Sequence, residues 1–505
     1  MNEPVKYDVV VIGSGLGGLL CANLLAIEGM KVCVLEKNKQ FGGNLQSFSR
    51  NKQILDTGVH YIGGLSKGQN LHQIFKYVGL IDKLPLKQMD TAFDRIWMGE
   101  DKNEYAIYQG WATFIENLSC QFPDEKEAIH QYYTLVKDAC ARFPLYQMKT
   151  DTLALAKEPA MIQSAKEVIA SVTQNKKLQS ILAANNLLYA GEADSTPFHQ
   201  HALISNSYIE SAWKCMDGGS QIAKLLVANI RRLGGAIKRN TTVTKIVEQE
   251  GLIRFVETEH NEKVLGKVFV SNMAPEDTLR ITPGKIIKDL YRQRIMELEN
   301  GIGSFSLHII LKEKTTPYKN HNYYYHDEGQ VWNMNDYTDS DWPRGYGLYY
   351  SPNRYDEQFA ASISVLTPMR FADVAAWQHS YNRTGKEADR GVDYENFKKK
   401  KTDLLLDLLE KRIPGLRKNI KACYTSTPLT NRDYIGGRDG SMYGIKKDYH
   451  DAIRTTLSPR TKIPNLYLTG QNINLHGILG TSLTAVLTCC LLLNNFSLID
   501  KIRNA

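Results

Sequence analysis

Eight cysteines are scattered through 505 residues, and none forms a C-x-x-C pair or a spacing suited to metal ligation. That excludes a metal centre or dithiol built on a local motif. Cys21, Cys33, Cys489 and Cys490 sit in apolar stretches and read as reduced core thiols of a cytosolic protein. No run reaches the roughly 18 apolar residues of a membrane-spanning helix, and the nearest, 483–493, is too short. Only a few polar residues precede the first strand, which leaves no room for a signal peptide. The expected location is therefore cytoplasmic, at most peripheral on the inner face of the cytoplasmic membrane. A formal charge of +8, spread along the chain, gives no electrostatic footprint for nucleic acid. His-Glu-x-x-His, Gly-x-Ser-x-Gly and Walker patterns are all missing. Lys398-Lys399-Lys400-Lys401, the densest basic run, reads as a solvated helix start ahead of residues 404–409; a patch for acidic lipid head groups is the sharper alternative.

What is present begins almost at once. Tyr7-Asp8-Val9-Val10-Val11-Ile12 leads into Gly13-Ser14-Gly15-Leu16-Gly17-Gly18, a helix-like run follows, and Lys31-Val32-Cys33-Val34-Leu35 ends on Glu36. A continuous apolar run suits a buried parallel strand. Gly13 permits the tight turn, Gly15 lets backbone approach a pyrophosphate, and Gly18 lets the helix lie close on the strand. Leu16 then opens the helix whose free N–H groups favour phosphate. Glu36 stands where a carboxylate accepts from both ribose hydroxyls and repels a 2′-phosphate, which predicts FAD or NAD before NADP. Gly42-Gly43 follow so soon that backbone must pass close to the rest of a long cofactor, which suits FAD and is superfluous for NAD.

Further on, residues 71–212 change to long helix-like stretches, read as an inserted, mainly helical layer. Asp217-Gly218-Gly219-Ser220 starts an amphipathic helix, and short strands at 236–238, 243–248 (opening on Val243, a candidate cofactor contact), 253–257 and 268–272 return the chain to the first domain. A second insertion, 275–422, holds strands at 304–311 and 360–366 and a dense tyrosine cluster, read as core or as the wall of a conjugated ligand site. The end of the chain runs from Leu468-Thr469-Gly470 through Gln471 to Gly480-Thr481, which opens an apolar helix aimed at an electron-rich group. The resulting expectation is an α/β fold. A Rossmann-type FAD-binding domain is assembled from 1–70, 213–274 and 423–505, and an α+β substrate domain from 71–212 and 275–422.

These segments resemble the FAD-dependent phytoene desaturase, carotenoid isomerase and retinol saturase superfamily, nearest its retinol saturase-like bacterial members. The stretch from Val11 through Glu36-Lys37 to Gly42-Gly43-Asn44 resembles its first FAD motif, and Asp56-Thr57-Gly58-Val59-His60-Tyr61 resembles the retinol saturase form of the next segment. Asp217 to Ser220 is similar to the family's Gly-Gly turn, although proline often stands in place of Asp217. Residues 427–434 and the run from Leu468 to Gly480 resemble its C-terminal FAD segments. The resemblance implies an FAD oxidoreductase that saturates or desaturates a carbon–carbon bond of a hydrophobic polyene or isoprenoid, with peripheral membrane contact. Isomerisation with reduced FAD, amine oxidation, and a flavin-binding membrane-docking scaffold stay open beside it. A single dinucleotide fingerprint leaves NAD(P)H only as a transient electron donor. His60, Tyr61, Tyr434 and His476 are candidate proton donors, with His60 and Tyr434 first. Oligomeric state is left open.

Overall fold

The chain is described by a computed structural model covering residues 7–150, 158–382 and 389–505. The polar leader ahead of Tyr7 lies outside these residues. Val9, Val10 and Val11 are fully buried, which places the strand Tyr7–Ile12 inside a sheet rather than at its edge. Val32–Leu35 pairs with it in parallel on one side and Lys263–Ser271 on the other. Ala236–Lys238 extends the sheet beyond Val32–Leu35, and Leu466–Leu468 joins the last residues of Lys263–Ser271, again in parallel. Five strands therefore end on one side, at Ile12, Leu35, Lys238, Ser271 and Leu468, where ligands of open parallel sheets bind. The first half of Lys263–Ser271 instead pairs with Leu252–Thr258, which pairs antiparallel with Val243–Gln249. The helix Leu16–Ile27 is almost wholly buried because Ser220–Arg232 and Gly477–Leu493 both pack on it.

A second seven-stranded sheet runs in the order Ile420–Ser426, Gly303–Leu311, Asp356–Met369, Gly345–Asn353, Asn322–His326, Ala92–Met98, Tyr105–Tyr108. Three expectations change here. The 71–212 insertion is not simply helical, because Ala92–Met98 and Tyr105–Tyr108 complete this sheet and Leu86–Gln88 joins a smaller one. Ala92–Met98 buries both faces at Phe93, Asp94, Ile96 and Trp97, so it carries no alternation that would mark a strand. The boundary at 423 cuts Ile420–Ser426, which pairs with Gly303–Leu311 and belongs to the second sheet. Finally, Lys398 to Lys401 lie mid-helix in Val392–Arg412 rather than at its start. Lys401 is buried there, its ammonium 4.5 Å from the Trp342 ring centre and 3.6 Å from Asp339.

Candidate active site

At the strand ends, Gly13 turns the chain with φ +92° and donates its N–H to the Leu35 carbonyl at 2.8 Å. Glu36, 5% exposed, then orders the turn from below. Its carboxylate accepts from the Ser14 N–H (2.9 Å) and hydroxyl (2.6 Å) through one oxygen, and from the Asn38 N–H (2.8 Å) through the other. Gly42 ties in by donating to the Ser14 carbonyl and hydroxyl at 3.0 and 3.2 Å. The glycines are needed by contact as well as by conformation. A Cβ on Gly18 would strike the Gly13 carbonyl, one on Gly17 would come 2.9 Å from the Gly470 Cα, and one on Gly43 would come 3.1 Å from the Gly15 Cα.

Asn272 fills the space beneath this turn. Its amide nitrogen lies 2.6 Å from where a Gly15 Cβ would be, its oxygen 2.6 Å from the same position at both Gly17 and Gly470, and that buried oxygen accepts no hydrogen bond. Sequence reading placed Asn272 only as the end of a strand. Its signal was positional, since it follows the carboxyl end of the strand beside Tyr7–Ile12.

One cavity of about 310 Å³ occupies the strand ends. Gly13, Gly15, Leu16, Glu36, Lys37, Gly42, Gly43, Asn44, Val243, Gln471 and Thr481 all line it. Gly18, Gly470 and Gly480 do not; they serve close packing behind the wall, with Gly480 pressed on Leu475. The C-terminal helix opens at Gly477 rather than Gly480, and Gly477 and Ile478 line the cavity at its free N–H end. Asn44 donates to the Gln471 side chain at 3.3 Å, joining the second glycine site to the last segment. Asp56 accepts from the Gly219 N–H at 2.8 Å, joining two more of the motif segments; burial lifts its carboxyl to about 7.

The candidate proton donors separate. Tyr434 lines the cavity with its carbonyl accepting from the Asn38 side chain at 2.8 Å, so its backbone belongs to the Glu36 end. His60 lies on the face of Tyr349, ring centres 4.2 Å apart and planes 7° apart, and its ring nitrogens have no hydrogen-bond partner among the described residues. Burial holds the His60 imidazole down at about 3, so it is neutral around neutrality and no imidazolium is available there. Tyr61 lines the same end, with its hydroxyl bound to Asp94 (2.8 Å) and Tyr324 (2.7 Å). His476 stacks behind Tyr443 at 4.2 Å and does not line this cavity. The tyrosine cluster divides by strand alternation. Tyr349 faces the cavity with Tyr324 behind it, while Tyr323, Tyr325, Tyr346 and Tyr350 pack with Trp97 and Trp342 in the core on the opposite face.

Comparison with known proteins fits this geometry. Residues 11–78 match the family described as NAD(P)-binding Rossmann-like domain. The all-trans-retinol 13,14-reductase of Macaca fascicularis is 30% identical over 531 residues, covering 96% of this chain and 85% of that protein. The chain belongs to the phytoene desaturase, carotenoid isomerase and retinol saturase superfamily. Prolycopene isomerase 1 of an Oncidium hybrid cultivar, a chloroplast protein, is 24% identical and covers 88% of this chain and 76% of its own length. A triple mutant of putrescine oxidase superposes with a TM-score of 0.64 at 13% identity, covering 97% of this chain and 99% of its own, a likeness of fold alone.

As a member of this superfamily the protein is an oxidoreductase, and its Rossmann turn points to a flavin nucleotide. The residues fit such a group. Bare glycine backbone borders the cavity at Gly13, Gly15, Gly42 and Gly43, and the Glu36 carboxylate stands just past the end of the second strand. Two helix N-termini, at Gly15-Leu16-Gly17 and at Gly477-Ile478, open onto the same space. Among the described residues no helix is long and apolar enough to cross a membrane.

Proposed function

We propose that the chain binds FAD and reduces or forms a carbon–carbon double bond of a hydrophobic polyene-like compound, with saturation as the preferred direction. The observation that carries this reading is the single cavity that joins the Glu36 end to the His60, Tyr61 and Tyr349 end. The retinol reductase and prolycopene isomerase relatives support the substrate class. Glu36 would hold the ribose, the N–H groups at Gly15 to Gly17 the pyrophosphate, and Gly42-Gly43 the chain beyond it. Bound FAD supplies hydride transfer at its ring system. The protein's part at the far end is to exclude water and hold a proton. Leu187, Leu188, Leu366 and Met442 form apolar wall, whereas Tyr61, Tyr208 and Tyr349 present phenols backed by a buried carboxyl. The preference for FAD over NAD rests on the second glycine site at Gly42-Gly43, and NAD(P)H remains at most a visiting donor. Apolar cavity lining is also consistent with delivery of substrate from a membrane surface.

The test is to purify the protein, identify its released nucleotide, photoreduce it without oxygen and add polyenes, allylic alcohols or amines. Reoxidation by a polyene with formation of a saturated product is expected. Reduction of the oxidised protein by an amine, with no response to polyenes, overturns the reading.

A further inference from the structure

Asp94, on the strand Ala92–Met98, is completely buried, and no lysine or arginine comes within ion-pair distance of it among the described residues. A carboxylate in that setting lacks the partner that would offset its desolvation. One oxygen accepts from the Asn322 side-chain amide at 3.0 Å and the other meets the Tyr61 hydroxyl at 2.8 Å. The Tyr61 hydroxyl in turn lies 2.7 Å from that of Tyr324, to which Tyr349 donates at 3.3 Å. Tyr61 and Tyr349 line the cavity, whereas Asp94 and Tyr324 stand behind them. A continuous hydroxyl chain therefore connects a buried acid to the end of the cavity where the neutral His60 offers no imidazolium proton.

We propose that Asp94 is the proton store of this cavity and that Tyr61 is the catalytic residue that hands its proton to the substrate carbon, with Tyr324 and Tyr349 as positioning residues that hold the hydroxyls in line. This rests on the carbon–carbon bond reading above. In the saturating direction the π bond breaks, and a reduced flavin is the source of the hydride and its two electrons for one carbon. The Tyr61 O–H bond breaks as a C–H bond forms at the other carbon. The Asp94 O–H bond then breaks to restore Tyr61, and the carboxylate regains a proton from solvent. Desaturation reverses each transfer.

Burial lifts the Asp94 carboxyl to about 7, against the hydrogen bonds from Asn322 and Tyr61 and the charge of the buried Lys214, which all favour the anion. The other titratable groups facing it are the phenols of Tyr61, Tyr324, Tyr349 and Tyr208, which burial holds well above their ordinary range.

Asp94→Asn is the decisive variant because a carboxamide is isosteric, accepts from Asn322 and donates to Tyr61, yet has no proton to transfer. In wild-type protein, flavin-free and loaded, the protonated-carboxyl absorption in the infrared near neutral pH is expected to contain a component that Asp94→Asn removes, beside that of Asp56. With a polyene that is turned over, Asp94→Asn is expected to lower kcat about 100-fold at unchanged KM. Wild-type kcat is expected to decline as pH rises through about 7, and Asp94→Asn should abolish that decline. Tyr61→Phe should lower kcat equally while keeping that infrared component. A carboxyl absorption that Asp94→Asn leaves unchanged overturns the proposal, and so does an Asp94→Asn enzyme with wild-type kcat and pH decline. Wild type that shows the component but reduces no polyene overturns delivery to carbon together with the proposed function. That result differs from the previous one, in which the function survives without Asp94.

Discussion

At the scale of the residue, the proposed function gives Glu36 two duties. Its carboxylate already accepts from Ser14 and Asn38 and so shapes the glycine turn before any nucleotide arrives. Glu36→Ala should therefore lose both the ribose contact and the preformed turn. Each hydrogen bond to a charged group is worth about 1.5–3 kcal/mol, so the dissociation constant for flavin should rise by roughly 100-fold or more. Fluorescence of flavin released on gel filtration checks this, and retention equal to wild type would count against the assignment. Glu36 and its glycines were legible from sequence because each sits at a fixed offset from a strand end. Asn272 was not, because its role depends on strand order, and that order is set by a pairing across more than 250 residues, Val11 with Val270. Tyr434 was placed by motif resemblance alone, which says nothing about which end of a long cavity a backbone segment reaches.

At the scale of the element, two glycines show how the mobility of a neighbour decides the outcome. A Cβ at Gly18 would meet the Gly13 carbonyl, which is backbone fixed by the parallel strands and cannot retreat without parting the helix Leu16–Ile27 from its sheet. Overpacking of that kind typically costs about 1–3 kcal/mol, and the displaced turn is also the one proposed to cradle the phosphates. Gly18→Ala should thus lower the urea midpoint and yield protein largely free of flavin. On the second sheet, a Cβ at Gly347 would meet the Tyr349 hydroxyl and the ring edge behind it, a side chain that borders the cavity rather than fixed backbone. Gly347→Ala should cost less than about 1.5 kcal/mol yet displace Tyr349 from Tyr324, so it should alter turnover more than stability. Denaturant curves and steady-state rates on the same two variants separate these outcomes. The second sheet itself was only partly legible. Residues 304–311 and 360–366 read as strands, observed longer as Gly303–Leu311 and Asp356–Met369, because both alternate apolar or β-branched residues with serine or histidine, as at Phe305, Leu307, Ile309 and at Ile363, Val365. Ala92–Met98 was missed because burial on both faces, with Asp94 among the buried residues, removes the period of two.

At the scale of the whole molecule, the interior holds an unusual amount of titratable material in neutral form. Desolvation holds six histidines, His60, His199, His201, His308, His326 and His476, at about 3 to 4, below the ordinary 6.5. Asp56 and Asp94 are shifted the other way, to about 7 from 3.8. Near pH 5 the unfolded chain therefore holds six imidazole protons that the native state lacks. The native state holds two carboxyl protons that the unfolded chain lacks, which leaves about four more protons on the unfolded chain. Stability rises with pH wherever the unfolded state binds more protons, so it should fall as pH drops from about 6.5 toward 4. The two carboxyls oppose this, since their contribution is largest below about 4 and fades as pH rises toward 7. Urea unfolding of flavin-free protein at a series of pH values should show this net slope. His201 hydrogen-bonds to both Tyr132 and Tyr189 at 2.8 Å with no acid nearby, so His201→Gln should flatten the slope by about one proton while lowering stability at neutral pH. A slope unchanged in His201→Gln would mean that this imidazole is already protonated in the folded protein, and that its surroundings solvate charge far better than two phenols in an apolar core should.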